Sequence, residues 1–269
     1  LAKGQNVDMS DMFRFDGKTV MVIGAGSGIG RAVAIGAARQ GARVACVDVN
    51  GDAANAVREE ITRAGGDAVA EALDITDAAA TERVLSSVAA RGGIDGLACT
   101  PSINVRKKLL DYQEDEFDRV VRLNLKGSFN VVRAAGRIMT AQGRGSIVVF
   151  SSIRSLVVEP GQAIYSMTKA GILQLVRGAA CEFGPSGVRV NALGPGVIET
   201  PLTAPIKSQP AWYEAYAQKN VMKRWAQAEE MAGPTLFLLS DAASYVTGTI
   251  LYADGGWLAV DGRFTPPGM

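Results

Sequence analysis

The sequence predicts an α/β protein built on a parallel sheet with helices on both faces. Three observations carry that prediction. Short β-rich runs alternate with longer runs of helical periodicity, the chain order of repeated strand–helix–strand crossovers. Several short runs are apolar at consecutive positions, as strands covered on both faces are. The first run leads directly into a glycine-rich turn and then a helix.

Seven strands are expected: TVMVIG (19–24), RVACVDV (43–49), DAVAEALD (67–74), GIDGLACT (93–100), GSIVVFS (145–151), VRVNALG (188–194) and TILYADG (249–255). Helices are expected over 28–40, 52–64, 77–91, 114–142, 162–184 and 227–240, joined to the strands by right-handed crossovers. No internal repeat or low-complexity linker divides the chain, so residues 1–269 read as one domain, with an extension at 1–14 and a tail at 259–269. Residues 194–216 interrupt the alternation with four prolines and exposed-looking aromatics. Connections of that length are usually lids or binding loops, and 195–220 is taken as one.

Composition narrows the function. A 48% hydrophobic and 20% charged content is that of an ordinary globular protein. The 28 Lys+Arg against 27 Asp+Glu give no reason to expect a nucleic-acid or membrane partner. No apolar run approaches the roughly 18 residues that span a bilayer, and the opening LAKGQNVDMSDMFRF is charged where a secretory leader is apolar. Cys46, Cys99 and Cys181 are far apart and read as buried thiols of a cytoplasmic protein. With no histidine and no CxxC pair, no metal site is expected.

The turn after the first strand, Gly24-Ala25-Gly26-Ser27-Gly28-Ile29-Gly30, has the spacing Gly-x-x-x-Gly-x-Gly. Glycines there let the backbone approach a pyrophosphate at the helix N-terminus. Asp48 ends the second strand, where a carboxylate accepts from adenosine ribose hydroxyls and repels a 2′-phosphate. Val49 and Asn50 supply no compensating cation, so NAD is expected over NADP. Asp74 and Ile75, ending the third strand, are placed for the adenine edge.

Tyr165 and Lys169 stand one helical turn apart and share a face. An ammonium beside a phenol favours phenolate, a route to acid–base chemistry in a chain without histidine. Ser152, at the end of the preceding strand, is placed to fix a substrate oxygen.

Gly24-x-x-x-Gly28-x-Gly30, Asp48, Asp74, Asn124 in "NLKG", Ser152, Tyr165-x-x-x-Lys169, Asn191 in "RVNALGPG" and the closing "YVTGTILYADGG" occur in one order. Over roughly residues 15–258 they resemble the short-chain dehydrogenase/reductases. The resemblance implies a Rossmann-like three-layer sandwich with a seven-stranded parallel sheet, in a homotetramer. It implies Tyr165 as the acid–base, Lys169 also on the nicotinamide ribose, Ser152 orienting the carbonyl and Asn124 supporting a water-linked proton path. Pro195, Gly196, Val197, Ile198 and Thr200 in "PGVIET" resemble the segment beside the nicotinamide carboxamide. Two departures stand out. Ile23 replaces a threonine before the first glycine, and Cys99-Thr100-Pro101-Ser102 replaces Asn-Asn-Ala-Gly after the fourth strand, with Thr100 expected at the cofactor.

Arg154, Gln162 and Trp212 are the expected substrate contacts. A guanidinium near the reacting centre holds carboxylates in bidentate fashion, although Arg154 could equally pair with Glu159. Arg106, Lys107 and Lys108 follow the fourth-strand turn and read as a solvated face. The expected activity is hydride transfer between NAD(H) and a secondary alcohol or ketone, on a small sugar, polyol or hydroxy acid. The alternatives are reduction of a 3-oxoacyl thioester, which Asp48 disfavours, and a non-catalytic dinucleotide sensor or scaffold.

Overall fold

A computed structural model describes residues 11–260. Residues 1–10 of the expected extension and 261–269 of the expected tail lie outside the described residues. Seven strands form one parallel sheet: β1 (Thr19–Ile23), β2 (Arg43–Asp48), β3 (Ala68–Ala72), β4 (Gly96–Cys99), β5 (Gly145–Phe150), β6 (Val188–Pro195) and, last in the chain, β9 (Ile250–Ala253). Their order across the sheet is β3-β2-β1-β4-β5-β6-β9. Between β6 and β9, the short strands β7 (Ile198–Glu199) and β8 (Ala226–Gln227) pair separately.

Alternation along each strand sends side chains to opposite faces. Met21 and Ile23 of β1, Leu97 and Ile147 face one core, closed by α3 (Ala78–Ala89), α5 (Ser128–Gln142) and α6 (Ala163–Phe183). Val20 and Val22, with Val44 and Val148, face the other, closed by α1 (Gly28–Arg39), α2 (Gly51–Arg63) and α9 (Ala232–Leu239). Local chemistry starts and stops these helices. The Asn50 and Asp77 side chains accept from the backbone N–H of Ala53 and Ala80, capping α2 and α3. Gly143, left-handed at φ 70°, ends α5.

Two expectations are corrected here. The helix expected over 114–142 is interrupted. After α4 (Glu114–Val121) the ladder widens into a π-helical segment at Arg122–Gly127 before α5 begins, and Asn124 lies in that segment. The long connection is also not irregular. It carries α7 (Ala204–Lys207) and α8 (Pro210–Lys219), with Pro205 and Pro210 in their first turns, where a missing N–H costs no ladder bond. Its aromatics are packed rather than exposed: Tyr216 is buried with Ile153, Val197, Ile206, Trp225 and Trp257 in a third, smaller core. Of the thiols, Cys46 and Cys99 are buried and pushed up to about 12 by burial, whereas Cys181 is exposed.

Candidate active site

The strand order reverses between β1 and β4, so the segments leaving them diverge and open a crevice at their carboxyl ends. A cleft of about 1240 Å³ occupies it, lined by Gly24, Ser27, Gly28, Ile29, Gly30, Asp48, Asp74, Ile75, Thr100 and Thr200. Sterics explain the glycines. A Cβ on Gly30 would lie 1.9 Å from the Gly24 carbonyl oxygen, and one on Gly24 would lie 2.3 Å from Thr100 Oγ1. Gly24 and Gly28 also have φ of 84° and 49°, the left-handed region. Ser27 caps α1 with extended backbone and makes no side-chain cap bond, which leaves helix N–H groups facing the cleft. A turn with glycine at its points of close approach, set at a helix N-terminus, fits a pyrophosphate.

Asp48 is held across this turn. Its Oδ2 accepts from Gly26 N at 2.9 Å and its Oδ1 from Asn50 N at 3.0 Å, and each oxygen keeps a further lone pair. Asp74 Oδ1 accepts from Thr76 N at 2.8 Å, and the Ile75 carbonyl accepts from Asn130 Nδ2 at 2.9 Å. The Thr100 hydroxyl is committed to structure, donating to the Ile23 carbonyl at 2.9 Å. It restores a hydroxyl bond at the place where Ile23 lacks one.

Beyond the cleft, Ser151 joins β5 to its neighbours: its N–H donates to Leu193 O at 2.7 Å and its hydroxyl to Lys169 O at 2.8 Å. Ser152 follows, with Oγ accepting from Arg154 N at 3.1 Å. Tyr165 and Lys169 lie one turn apart on α6. Lys169 is fully buried, donates to Phe150 O at 2.8 Å, and sits 5.5 Å from the Tyr165 ring centroid. Burial lowers its pKa to about 8. Burial pushes the Tyr165 phenol up, and the largest opposing contributions come from the Ser152 and Ser102 hydroxyls and the Arg106 and Arg154 cations. The Lys169 ammonium is held at the Phe150 carbonyl and is not among these opposing groups. Asn124 is clamped too: Nδ2 donates to Ile103 O at 2.9 Å and Thr168 Oγ1 at 3.1 Å, and Oδ1 accepts from Ile103 N at 3.0 Å. Its side chain fixes the segment after β4 against α6.

A second cavity of about 280 Å³ adjoins Ser152 and Tyr165, and Arg154, Gln162 and Trp212 all line it, with Gly196 and Val197. Arg154 is not free, however. Its Nη2 donates to Glu159 Oε2 at 2.8 Å, the ion pair named above as the alternative. Arg106, read as solvated with Lys107 and Lys108, turns inward, 2.8 Å from Glu159 and 5.1 Å from the Trp212 ring centroid. Gln162 and the Tyr216 hydroxyl also donate to Glu159. Burial raises the Glu159 pKa, but the Tyr216 bond, Arg154, Arg106 and Gln162 outweigh it and hold the carboxyl below its usual range. Pro195 and Ile198 line neither cavity. Pro195 pairs with Ala253 in the sheet and Ile198 packs into the core. Asn104 and Glu159 are absent from the expected substrate contacts: Asn104 belongs to no local motif and meets Gln162 across 58 residues, and Glu159 is expected only as a partner for Arg154, while Arg106 and Tyr216 reach it from distant sequence.

Comparison with known proteins agrees with this geometry. A family model described as enoyl-(acyl carrier protein) reductase matches residues 24–258. L-rhamnose 1-dehydrogenase (NAD(P)(+)) of Azotobacter vinelandii is 40% identical over 245 residues, covering 89% of this chain and 96% of that protein. Galactitol 2-dehydrogenase (L-tagatose-forming) of Cereibacter sphaeroides is 35% identical over 255 residues, covering 93% and 99%. A gluconate 5-dehydrogenase from Burkholderia cenocepacia, solved in complex with NADP and tartrate, superposes with a TM-score of 0.90 at 31% identity, over 93% of this chain and 98% of that one. The chain belongs to the short-chain dehydrogenase/reductases. It is an NAD(P)-dependent oxidoreductase acting on CH–OH groups.

Proposed function

We propose that the chain interconverts a secondary hydroxyl and a ketone on a small polyhydroxylated compound, a sugar, polyol or hydroxy acid, with NAD preferred. The observation that carries this reading is the cavity of about 280 Å³ where Ser152 and Tyr165 meet Asn104, Arg106, Arg154 and Gln162. That volume lies just below the usual range of ligand pockets, roughly 300–1,000 Å³, and its largely apolar wall carries the few placed polar groups that fix a ligand's orientation. The named activities of the rhamnose, galactitol and gluconate dehydrogenases support the same class.

The nicotinamide, when bound, supplies or accepts the hydride. The protein's residues do the rest. The glycine turn and Ser27 hold the pyrophosphate, Asp48 the adenosine ribose, and Thr200 and Gly196 flank the reacting end. Ser152 Oγ donates to the substrate oxygen and fixes it. Tyr165 Oη takes the hydroxyl proton during oxidation and returns it during reduction. Lys169 supports Tyr165 from beneath. Asp48 carries the cofactor preference, because its carboxylate would face a 2′-phosphate with no cation at Val49 or Asn50. A homotetramer is the assembly the family resemblance supports, and the unpaired cysteines of the sequence support a cytoplasmic setting.

A panel of L-rhamnose, galactitol, D-glucose, D-gluconate and an acetoacetyl thioester, run with NAD(H) and NADP(H), tests this by nicotinamide absorbance. Turnover of a sugar or polyol with NAD is expected. Turnover of the thioester alone with NADPH would replace the reading with acyl reduction, and none with any member would favour the sensor.

A further inference from the structure

Asn104 and Gln162, on the wall of the cavity that holds Ser152 and Tyr165, form one directed hydrogen-bond chain that ends at Glu159. Asn104 Nδ2 donates to Gln162 Oε1 at 2.8 Å, and Gln162 Nε2 donates to Glu159 Oε1. The direction of this chain is not arbitrary. An ionised carboxylate only accepts hydrogen bonds. With Arg154 and Arg106 both paired to it, Glu159 stays ionised. Gln162 must therefore point its NH₂ at Glu159, which leaves its carbonyl oxygen toward Asn104. Asn104 must then donate, and neither amide is free to flip. The consequence falls at the far end, where Asn104 Oδ1 is buried with no hydrogen-bond partner among the described residues, on a side chain that lines the cavity. A buried acceptor left unpaired is costly, so such a group is expected to meet a donor in the working state.

We propose that Asn104 determines substrate specificity: its Oδ1 accepts a hydrogen bond from a substrate hydroxyl other than the one being oxidised. The inference rests on reading this cavity as the site for a polyhydroxylated substrate. It narrows that class to compounds with a free hydroxyl at one particular position, because Glu159, two side chains away, fixes the amide orientation in which Oδ1 is the unpaired atom. A deoxy carbon, an ether or a carbonyl at that position leaves Oδ1 unpaired, and the site discriminates against it.

The test compares kcat/KM for L-rhamnose, galactitol, D-glucose and D-gluconate with the monodeoxy analogues of whichever is turned over. In the unaltered enzyme one analogue that retains the reacting hydroxyl loses roughly 10- to 100-fold more than the others. In Asn104→Leu, similar in volume but without an acceptor, that extra loss falls below about 3-fold, because the parent sugar is now also handicapped. Asn104→Ala gives the same collapse if the leucine variant does not fold, and NADH titration reports whether each variant keeps its cofactor site. If the extra loss persists in both variants, or no such analogue is penalised in the unaltered enzyme, the inference is overturned while the proposed function stands. No turnover of any sugar, polyol or sugar acid overturns both.

Discussion

Thr100 donates its hydroxyl to the carbonyl of Ile23 at 2.9 Å, so a side chain from the end of β4 closes the end of β1 at the entrance to the glycine turn. The same oxygen lies 3.5 Å from the Gly24 carbonyl oxygen, so the turn following β4 and the turn following β1 are set against each other. Replacing the hydroxyl with a methyl, Thr100→Val, removes that bond while nearly preserving volume. The expected loss is about 1 kcal/mol of stability, with NADH affinity falling a few-fold as the glycine turn loosens. Thr100→Ser should retain both. Thermal melts and NADH titration read the two effects separately.

Arg154 acts through Glu159 in this structure, and its guanidinium also lies 5.4 Å from the Trp257 ring centroid. Arg154→Ala should therefore raise KM for neutral and anionic substrates alike. The loss of stability should stay under the roughly 3–5 kcal/mol of a broken buried pair, since Arg106, Gln162 and Tyr216 still hold Glu159. A rise confined to anions would instead indicate direct contact with a substrate carboxylate. Paired KM values for an aldose and its sugar acid decide between them.

Asp48 holds the Gly26 and Asn50 amides and faces the cleft with spare lone pairs. Asp48→Ala should cut kcat/KM with NAD by roughly 10- to 100-fold, the worth of charged hydrogen bonds to two hydroxyls. The same change should leave NADP use equal or improved. Equal losses with both cofactors would mean that Asp48 only supports the turn.

Lys169 should leave a signature in stability against pH. Its ammonium titrates near 10.5 when unfolded and at about 8 when buried, so between those values the unfolded chain binds the extra proton and stability rises with pH. Cys46 and Cys99 oppose this above pH 9, because their thiols titrate near 9.0 unfolded and at about 12 folded. The interval from pH 8 to 9 therefore isolates Lys169. The unaltered protein should gain up to about 1.4 kcal/mol there relative to Lys169→Met, as measured by denaturant unfolding.

The sheet was legible because β1, β4 and β5 are apolar at consecutive positions, and the cofactor end because Gly24 to Gly30 sit between a strand and a helix. The π-helical segment at 122–127 left no comparable mark, since RLNLKG holds no proline and its one glycine closes the segment. The helices of the connection after β7 had a signal, Pro205 and Pro210 at first-turn positions, but proline in sequence equally marks a break in helix. The substrate wall was the least legible part. Asn104 meets Gln162 across 58 residues, and Arg106 meets Tyr216 across 110, contacts that only the crossover topology creates.

The central claim is that Tyr165 moves the proton while Ser152 holds the substrate oxygen. Turnover of the best panel substrate by Tyr165→Phe, with NADH affinity measured in parallel, tests it most directly. Loss of at least about 100-fold in kcat with cofactor affinity within a few-fold of the unaltered protein is the predicted result. Undiminished turnover in a variant that lacks the phenol hydroxyl would contradict it.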